Sequence, residues 1–246
     1  MRNFKIVLSY DGTRYKGWQR LGDGENTLQA KLEQVVSRMV GEKIEVIGSG
    51  RTDAGVHALG QVANFHADTA LSTDEILRYL RTYLPEDVGV LSVEEADSRF
   101  HSRLNAAGKT YRYRIWNSAE PCVFERKYVW RVPEALDISA MEQAARLLEG
   151  THDFLAFCSN KHFKKSSVRT IHSICLRREG PMLVIDVTGS GFLYNMVRII
   201  VGTLVEVGCG KRSAQDMDRI LATRMRENAG AMAPACGLFL LEVQYP

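Results

Sequence analysis

The five cysteines of this chain (Cys122, Cys158, Cys175, Cys209 and Cys236) form no CxxC pair, and their number is odd. That argues against a zinc knuckle or a disulfide frame and for reduced thiols in a cytoplasmic setting. No apolar run is long enough to span a bilayer, which takes about 20 residues. The longest, Met196 to Val207, is interrupted by Arg198. Low-complexity segments and internal sequence repeats are absent. Excess charge is scarce too: the net is only +3, so no strongly basic arm or tail announces nucleic acid. The six histidines show no HExxH or other metal-ligand spacing, so no metal is expected. The chain enters a strand-like run at Phe4, and no signal or transit peptide is expected ahead of it.

What is present is enough for a sizeable core: 246 residues, 45% of them hydrophobic, fit one large domain or two smaller ones. Charge is uneven. Residues 1–103 carry a net of −2 and the remainder a net of +5, a mildly basic half that suits phosphate or a solvated surface. Periodicity predicts strands at Phe4 to Ser9, Lys43 to Ile47, Val62 to His66 and Val88 to Val93. Between them it predicts helices at Thr27 to Val40, with Thr27 as N-cap, and at Thr73 to Leu84, stopping before Pro85. In the second half the strands are Thr110 to Trp116, Lys127 to Arg131, Ser167 to Arg177, Met182 to Thr188 and Leu238 to Tyr245. The helices there are Ser139 to Leu148, Leu193 to Val207 and Ala214 to Thr223. This pattern points to two α+β domains of ferredoxin-like (RRM-like) type, residues 1–103 and 104–246, each with a mostly antiparallel sheet and helices on one face.

The stretch Gly48 to Val62, Gly-Ser-Gly-Arg-Thr-Asp-Ala-Gly-Val-His-Ala-Leu-Gly-Gln-Val, sets four glycines, Arg51, Asp53 and His57 between two strand-like runs. Such glycine density implies a loop with positive-φ turns or close backbone approach. In extended backbone, Arg51 and Asp53 project to the same side. A carboxylate beside a guanidinium stays ionised at neutral pH, which suits a nucleophile or base; a salt-bridged turn is the plainer reading of the pair. His57 reads as a loop-bracing hydrogen bonder.

Three further segments stand out. Tyr10-Asp-Gly-Thr-Arg-Tyr-Lys-Gly-Trp-Gln-Arg20 interleaves aromatics with bases and glycines, as a loop does that stacks on nucleobases and touches phosphate. The alternative is a turn at Asp11-Gly12 with Trp18 tucked into the core. Phe100-His-Ser-Arg103 precedes Lys109-Thr-Tyr-Arg-Tyr-Arg114, where alternation puts Tyr111 and Tyr113 on one face and Arg112 and Arg114 on the other. The helix carrying Arg198 is apolar on nearly every side, so its guanidinium needs a partner; Asp53 is the candidate, and the plainer reading has Arg198 snorkel to the surface or pair with a nearby Asp or Glu. Gly189-Ser-Gly-Phe-Leu-Tyr fails as a dinucleotide fingerprint, because Tyr194 stands where the third glycine belongs.

The glycine-rich stretch resembles the signature loop of the TruA family of tRNA pseudouridine synthases, Gly-Arg-Thr-Asp-Ala-Gly-Val-His-Ala. The opening Tyr10 to Gln19 run, Phe100-His-Ser-Arg103 (Ser102 where the family has Ala), Gly191-Phe-Leu-Tyr-Asn-Met-Val-Arg198 and the closing Gly237-Leu-Phe-Leu are similar to its other motifs. The resemblance spans nearly the whole chain. It implies a cleft between the two domains, with Asp53 as catalytic nucleophile, Arg198 contacting it, Tyr111 against the target base and Arg51 holding the nucleotide. It also implies uridines of the tRNA anticodon stem-loop, positions 38 to 40, as substrate, a homodimer, and no cofactor. Two other classes stand beside it. A non-catalytic RNA-binding protein has no need of Arg51, Asp53 and Arg198 together, and the chain lacks the RNP1 run. A nucleoside or glycoside hydrolase calls for a second carboxylate, which does not accompany Asp53 in its motif.

Overall fold

The computed structural model describes residues 1–22, 26–160 and 165–246. The chain divides into two compact units: Met1–Ala107 together with Phe239–Pro246, and Gly108–Leu238. Across the described residues it is an α+β protein with ten strands, mostly antiparallel, and five α-helices. No described helix is long and apolar enough to cross a membrane.

In the first unit, β1 (Arg2–Tyr10) leads through a 3₁₀ turn to α1 (Leu28–Val40), β2 (Ile47–Gly48), β3 (His57–Ala67), α2 (Thr73–Tyr83) and β4 (Val88–Ala96). β1 is central, antiparallel to β3 on one side and to β4 on the other. Leu28, Leu32, Val35 and Val36 form the buried stripe of α1, as the spacing predicts, while Met39 is only half-buried. Thr27 caps the helix by accepting the Ala30 N–H, and the next free donors, the Leu28 and Gln29 N–H groups, reach the carbonyls of Gly17 and Trp18. α2 opens with a capping box between Ser72 and Glu75 and ends one residue before Leu84, itself followed by Pro85.

Of the predicted strand Lys43 to Ile47 only Ile47 is paired, with Asn64; β2 adds Gly48, paired with Ala63. β3 begins at His57, five residues earlier than predicted, so the last part of the signature stretch is strand rather than loop.

The second unit holds β5 (Gly108–Trp116), β6 (Trp130–Arg131), α3 (Ile138–Leu148), β7 (Gly150–Asp153), β8 (Val168–Glu179), β9 (Met182–Gly189), α4 (Met196–Gly208) and α5 (Asp216–Thr223). Its strands run in the order β5-β9-β8-β7, all antiparallel, with the short β6 parallel to β5. Lys127 to Arg131 thus contributes two paired residues, not five. α3 is capped by Asp137, whose side chain accepts the Ala140 N–H. α4 starts three residues later than predicted, because Asn195 takes a left-handed conformation (φ +61°) that a continuous helix cannot contain.

β10 (Leu238–Gln244) closes the chain. It pairs in parallel with the start of β3, Phe239 with His57 and Leu240 with Ala58. The expected division leaves residues 239–246 with the second domain; by contacts they go with the first unit.

Candidate active site

The signature residues 49–56 connect β2 to β3 in the first unit. Asp53 is half-buried, and its carbonyl accepts the Val56 N–H at 3.1 Å, closing a turn. Arg51, two residues earlier, is exposed. The segment after β1 lies directly against this turn. A Cβ at Gly12 would stand 1.9 Å from the Val56 carbonyl oxygen. At Gly17, whose φ is +99°, it would stand 2.7 Å from the Thr52 oxygen and 3.2 Å from the Asp53 carbonyl carbon. Only glycine fits both places. The Trp18 N–H donates to the Thr52 carbonyl at 2.9 Å, and the Gly12 N–H donates to His57 Nδ1 at 3.0 Å. His57 is buried and stacks on Phe239 at 4.7 Å, so it braces the loop as expected.

The aromatics of the opening motif are not presented to a ligand. Tyr10, Tyr15 and Trp18 are all buried, and the Trp18 indole lies over Gly48. Tyr15 donates its hydroxyl proton to Asp87 at 2.8 Å, and burial is the main reason its pKa is pushed up. The base-stacking reading of this segment is therefore replaced by the core reading: hydrophobic burial of the rings fixes the loop. Arg14, Lys16 and Arg20 remain exposed. The Phe100-His-Ser-Arg103 motif is also anchored within the first unit. Buried Ser102 donates its hydroxyl to the Ile47 carbonyl at 2.6 Å, its N–H donates to Asn64 Oδ1, and its carbonyl accepts from Tyr245.

Tyr111 and Arg198 belong to the second unit. β5 alternates as predicted, with Tyr111 and Tyr113 buried and Arg112 and Arg114 half-buried on the other face. Tyr111 meets Phe192 edge-on, with ring centroids 5.2 Å apart. Tyr113 donates its hydroxyl to the Pro234 carbonyl at 2.7 Å, and burial holds its pKa well above the ordinary tyrosine range. The arginine face is paired rather than open: Asp186 takes two bonds from Arg112 and one from Arg177, and Arg114 pairs with Glu125.

Arg198 is half-buried on α4. Its Nε donates to the Ala233 carbonyl at 2.8 Å, its NH1 donates to Asn195 Oδ1 at 3.1 Å, and its own carbonyl accepts the Ala233 N–H. The turn at Asn195 that delays α4 thus supplies a partner for the guanidinium.

Sequence reasoning missed Gln61, which is fully buried beneath the Asp53 loop and donates to the Gly50 carbonyl at 3.0 Å. A polar residue inside a strand-like run is the only signal. No cluster of three or more His, Cys, Asp or Glu side chains able to hold a metal occurs among the described residues.

A family profile described as tRNA pseudouridine synthase matches residues 6–105 and 144–246. The chain is 51% identical to a tRNA pseudouridine synthase A of Bacillus sp. (strain KSM-64), and 47% identical to a tRNA pseudouridine synthase A 2 of Bacillus cereus (strain ZK / E33L), with 100% of both chains covered in each case. It is 48% identical to a tRNA pseudouridine synthase A of Geobacillus kaustophilus, over 99% of this chain and 95% of that one. A solved H/ACA RNP bound to a substrate RNA containing 2′-deoxyuridine aligns with 82% of this chain and 44% of that one, at 12% identity and a TM-score of 0.35, too low to carry an argument. The chain belongs to the TruA family of tRNA pseudouridine synthases, isomerases that convert uridine to pseudouridine in tRNA.

Proposed function

We propose that this chain isomerises uridines of the tRNA anticodon stem-loop, positions 38 to 40, with Asp53 as the nucleophile. The observation that carries the reading is the Asp53 turn itself: a signature shared in type with the family, held in one shape by a glycine-lined segment packed against it. The reaction breaks the C1′–N1 bond, turns the uracil, forms C1′–C5 and releases the C5 proton. Attack of the carboxylate at C1′, its addition at C6, and assisted departure of the base through a glycal all start from an ionised, aimed Asp53. An isolated carboxylate is a weak nucleophile, so positioning and a charge-matched site supply much of the acceleration.

In this reading Arg198 keeps Asp53 ionised and aimed. Tyr111 lies against the uracil, and Arg51 holds the everted nucleotide, replacing lost stacking and phosphate contacts. The two units are ferredoxin-like domains with the reactive cleft between them, Asp53 on the first, Tyr111 and Arg198 on the second. The enzyme works in the cytoplasm as a homodimer, without metal or cofactor.

The test is tritium release from C5-labelled uridine in tRNA. Asp53→Asn keeps the shape and removes the charge, and it lowers the rate by at least about a thousandfold. A wild-type rate overturns the assignment of Asp53. Anticodon stem-loops with each uridine replaced in turn identify the target positions, and unchanged release after replacement of all three overturns the anticodon assignment.

A further inference from the structure

Four buried polar side chains lie directly under residues 49–52: Ser49, Thr52 and Gln61, with Tyr10 at the end of β1. Together they form one chain of hydrogen bonds. Ser49 donates its hydroxyl to Gln61 Oε1 at 2.7 Å. The Gln61 amide nitrogen donates to the Gly50 carbonyl at 3.0 Å and, more weakly, to the Tyr10 oxygen at 3.4 Å. Tyr10 and Thr52 share a hydroxyl–hydroxyl bond of 2.8 Å. Either hydroxyl can donate in the Tyr10–Thr52 bond, and the Tyr10 oxygen also accepts from Gln61. Burial pushes the Tyr10 pKa up, so its phenol proton is retained across the working pH range. Thr52 is thus held twice, through its hydroxyl by Tyr10 and through its carbonyl by the Trp18 N–H. The next residue is Asp53.

We propose that Tyr10, Thr52 and Gln61 are positioning residues for Asp53: their hydrogen-bond chain fixes the backbone on which the carboxylate is aimed, and so acts on the chemical step rather than on tRNA binding. The proposal rests on the reading of Asp53 as the nucleophile. The network touches no surface that a substrate reaches, since all of its side chains are buried. Its sole route to catalysis is therefore the loop. A misplacement of about 1 Å in a catalytic group can cost on the order of a hundredfold in rate. Each member is also bound to sequence-distant backbone or side chains, so removal of one hydroxyl loosens the loop without emptying the core.

The experiment compares Tyr10→Phe, Thr52→Val, the double variant and Thr52→Ser with the wild type, reading kcat and KM by tritium release and Tm by thermal unfolding. Both single variants are nearly isosteric. The expected result is a fall in kcat of about tenfold to a hundredfold for each, with KM within about twofold. The double variant is no worse than the poorer single one, because both break the same bond. Thr52→Ser, which keeps the oxygen, recovers most of the lost rate.

A drop in Tm with kcat unchanged overturns the proposal and leaves the network structural. A loss confined to KM overturns it as well. Asp53→Asn run beside these variants separates the two claims. If Asp53→Asn is inactive while Tyr10→Phe and Thr52→Val keep wild-type kcat, only the positioning proposal fails. If Asp53→Asn turns over normally, the nucleophile assignment itself fails.

Discussion

Asp186 shows how charge is used away from the signature loop. It sits on β9 across from Arg112, on the sheet face opposite Tyr111, and is mostly buried. Burial by itself would raise its pKa; the bonds from Arg112 and Arg177 outweigh that, and the carboxyl ends below its ordinary value. A depressed folded-state pKa means that the stabilisation is fully present above the unfolded value of about 3.9 and is lost as pH falls through the folded value. Asp186→Asn should therefore cost about 1–3 kcal/mol near neutral pH, the range for bonds to charged groups. The gap between variant and wild type should stay constant from about pH 5 to pH 8 and close in acid. Urea unfolding at a series of pH values checks both parts.

At the residue scale the bracing role of His57 was legible from its place in the glycine-rich motif, and the structure gives it the Gly12 N–H and the Phe239 ring as partners. The sequence reading failed for the rings of Tyr10, Tyr15 and Trp18. A loop of aromatics and bases looks the same on paper whether the rings face solvent or the core, and only tertiary contact with Gly48 and Asp87 decides. Gln61 was silent for the same reason, its partners lying 11, 12 and 51 residues away.

Among elements, α1 links stability to the site. Its first turn is satisfied by Thr27 and by the carbonyls of Gly17 and Trp18, the same segment that presses on the Asp53 turn. Thr27→Ala should cost about 1 kcal/mol by loss of the cap, measurable as a lower denaturation midpoint with an unchanged m-value. Ser72→Ala on α2, which breaks a capping box, should cost about as much.

Helices such as α1, α2 and α3 were legible because caps and apolar stripes are local. Strands were less so. Lys43 to Ile47 and Lys127 to Arg131 have strand composition, but the first finds a partner for Ile47 alone and the second for Trp130 and Arg131. β7, Gly-Thr-His-Asp, has no strand composition and pairs with β8 all the same. Pairing is a property of the neighbour as much as of the segment.

For the molecule as a whole, a net charge of +3 is modest for a protein of a tRNA-modifying family. A net charge this small favours recognition through local basic patches over attraction by the molecule as a whole. Binding of tRNA should weaken with added salt, log K falling by about 0.7–0.9 per log salt for each phosphate engaged. A filter-binding titration between low and physiological salt measures the slope, and a flat response would count against phosphate-led recognition.

The return of β10 to β3 has a consequence for biosynthesis. His57 meets its stacking partner Phe239, and Ser102 its donor Tyr245, only after the intervening second unit has been made. While the ribosome is still translating residues 108–238, the nascent first unit waits with one sheet edge unsealed and open to wrong pairing.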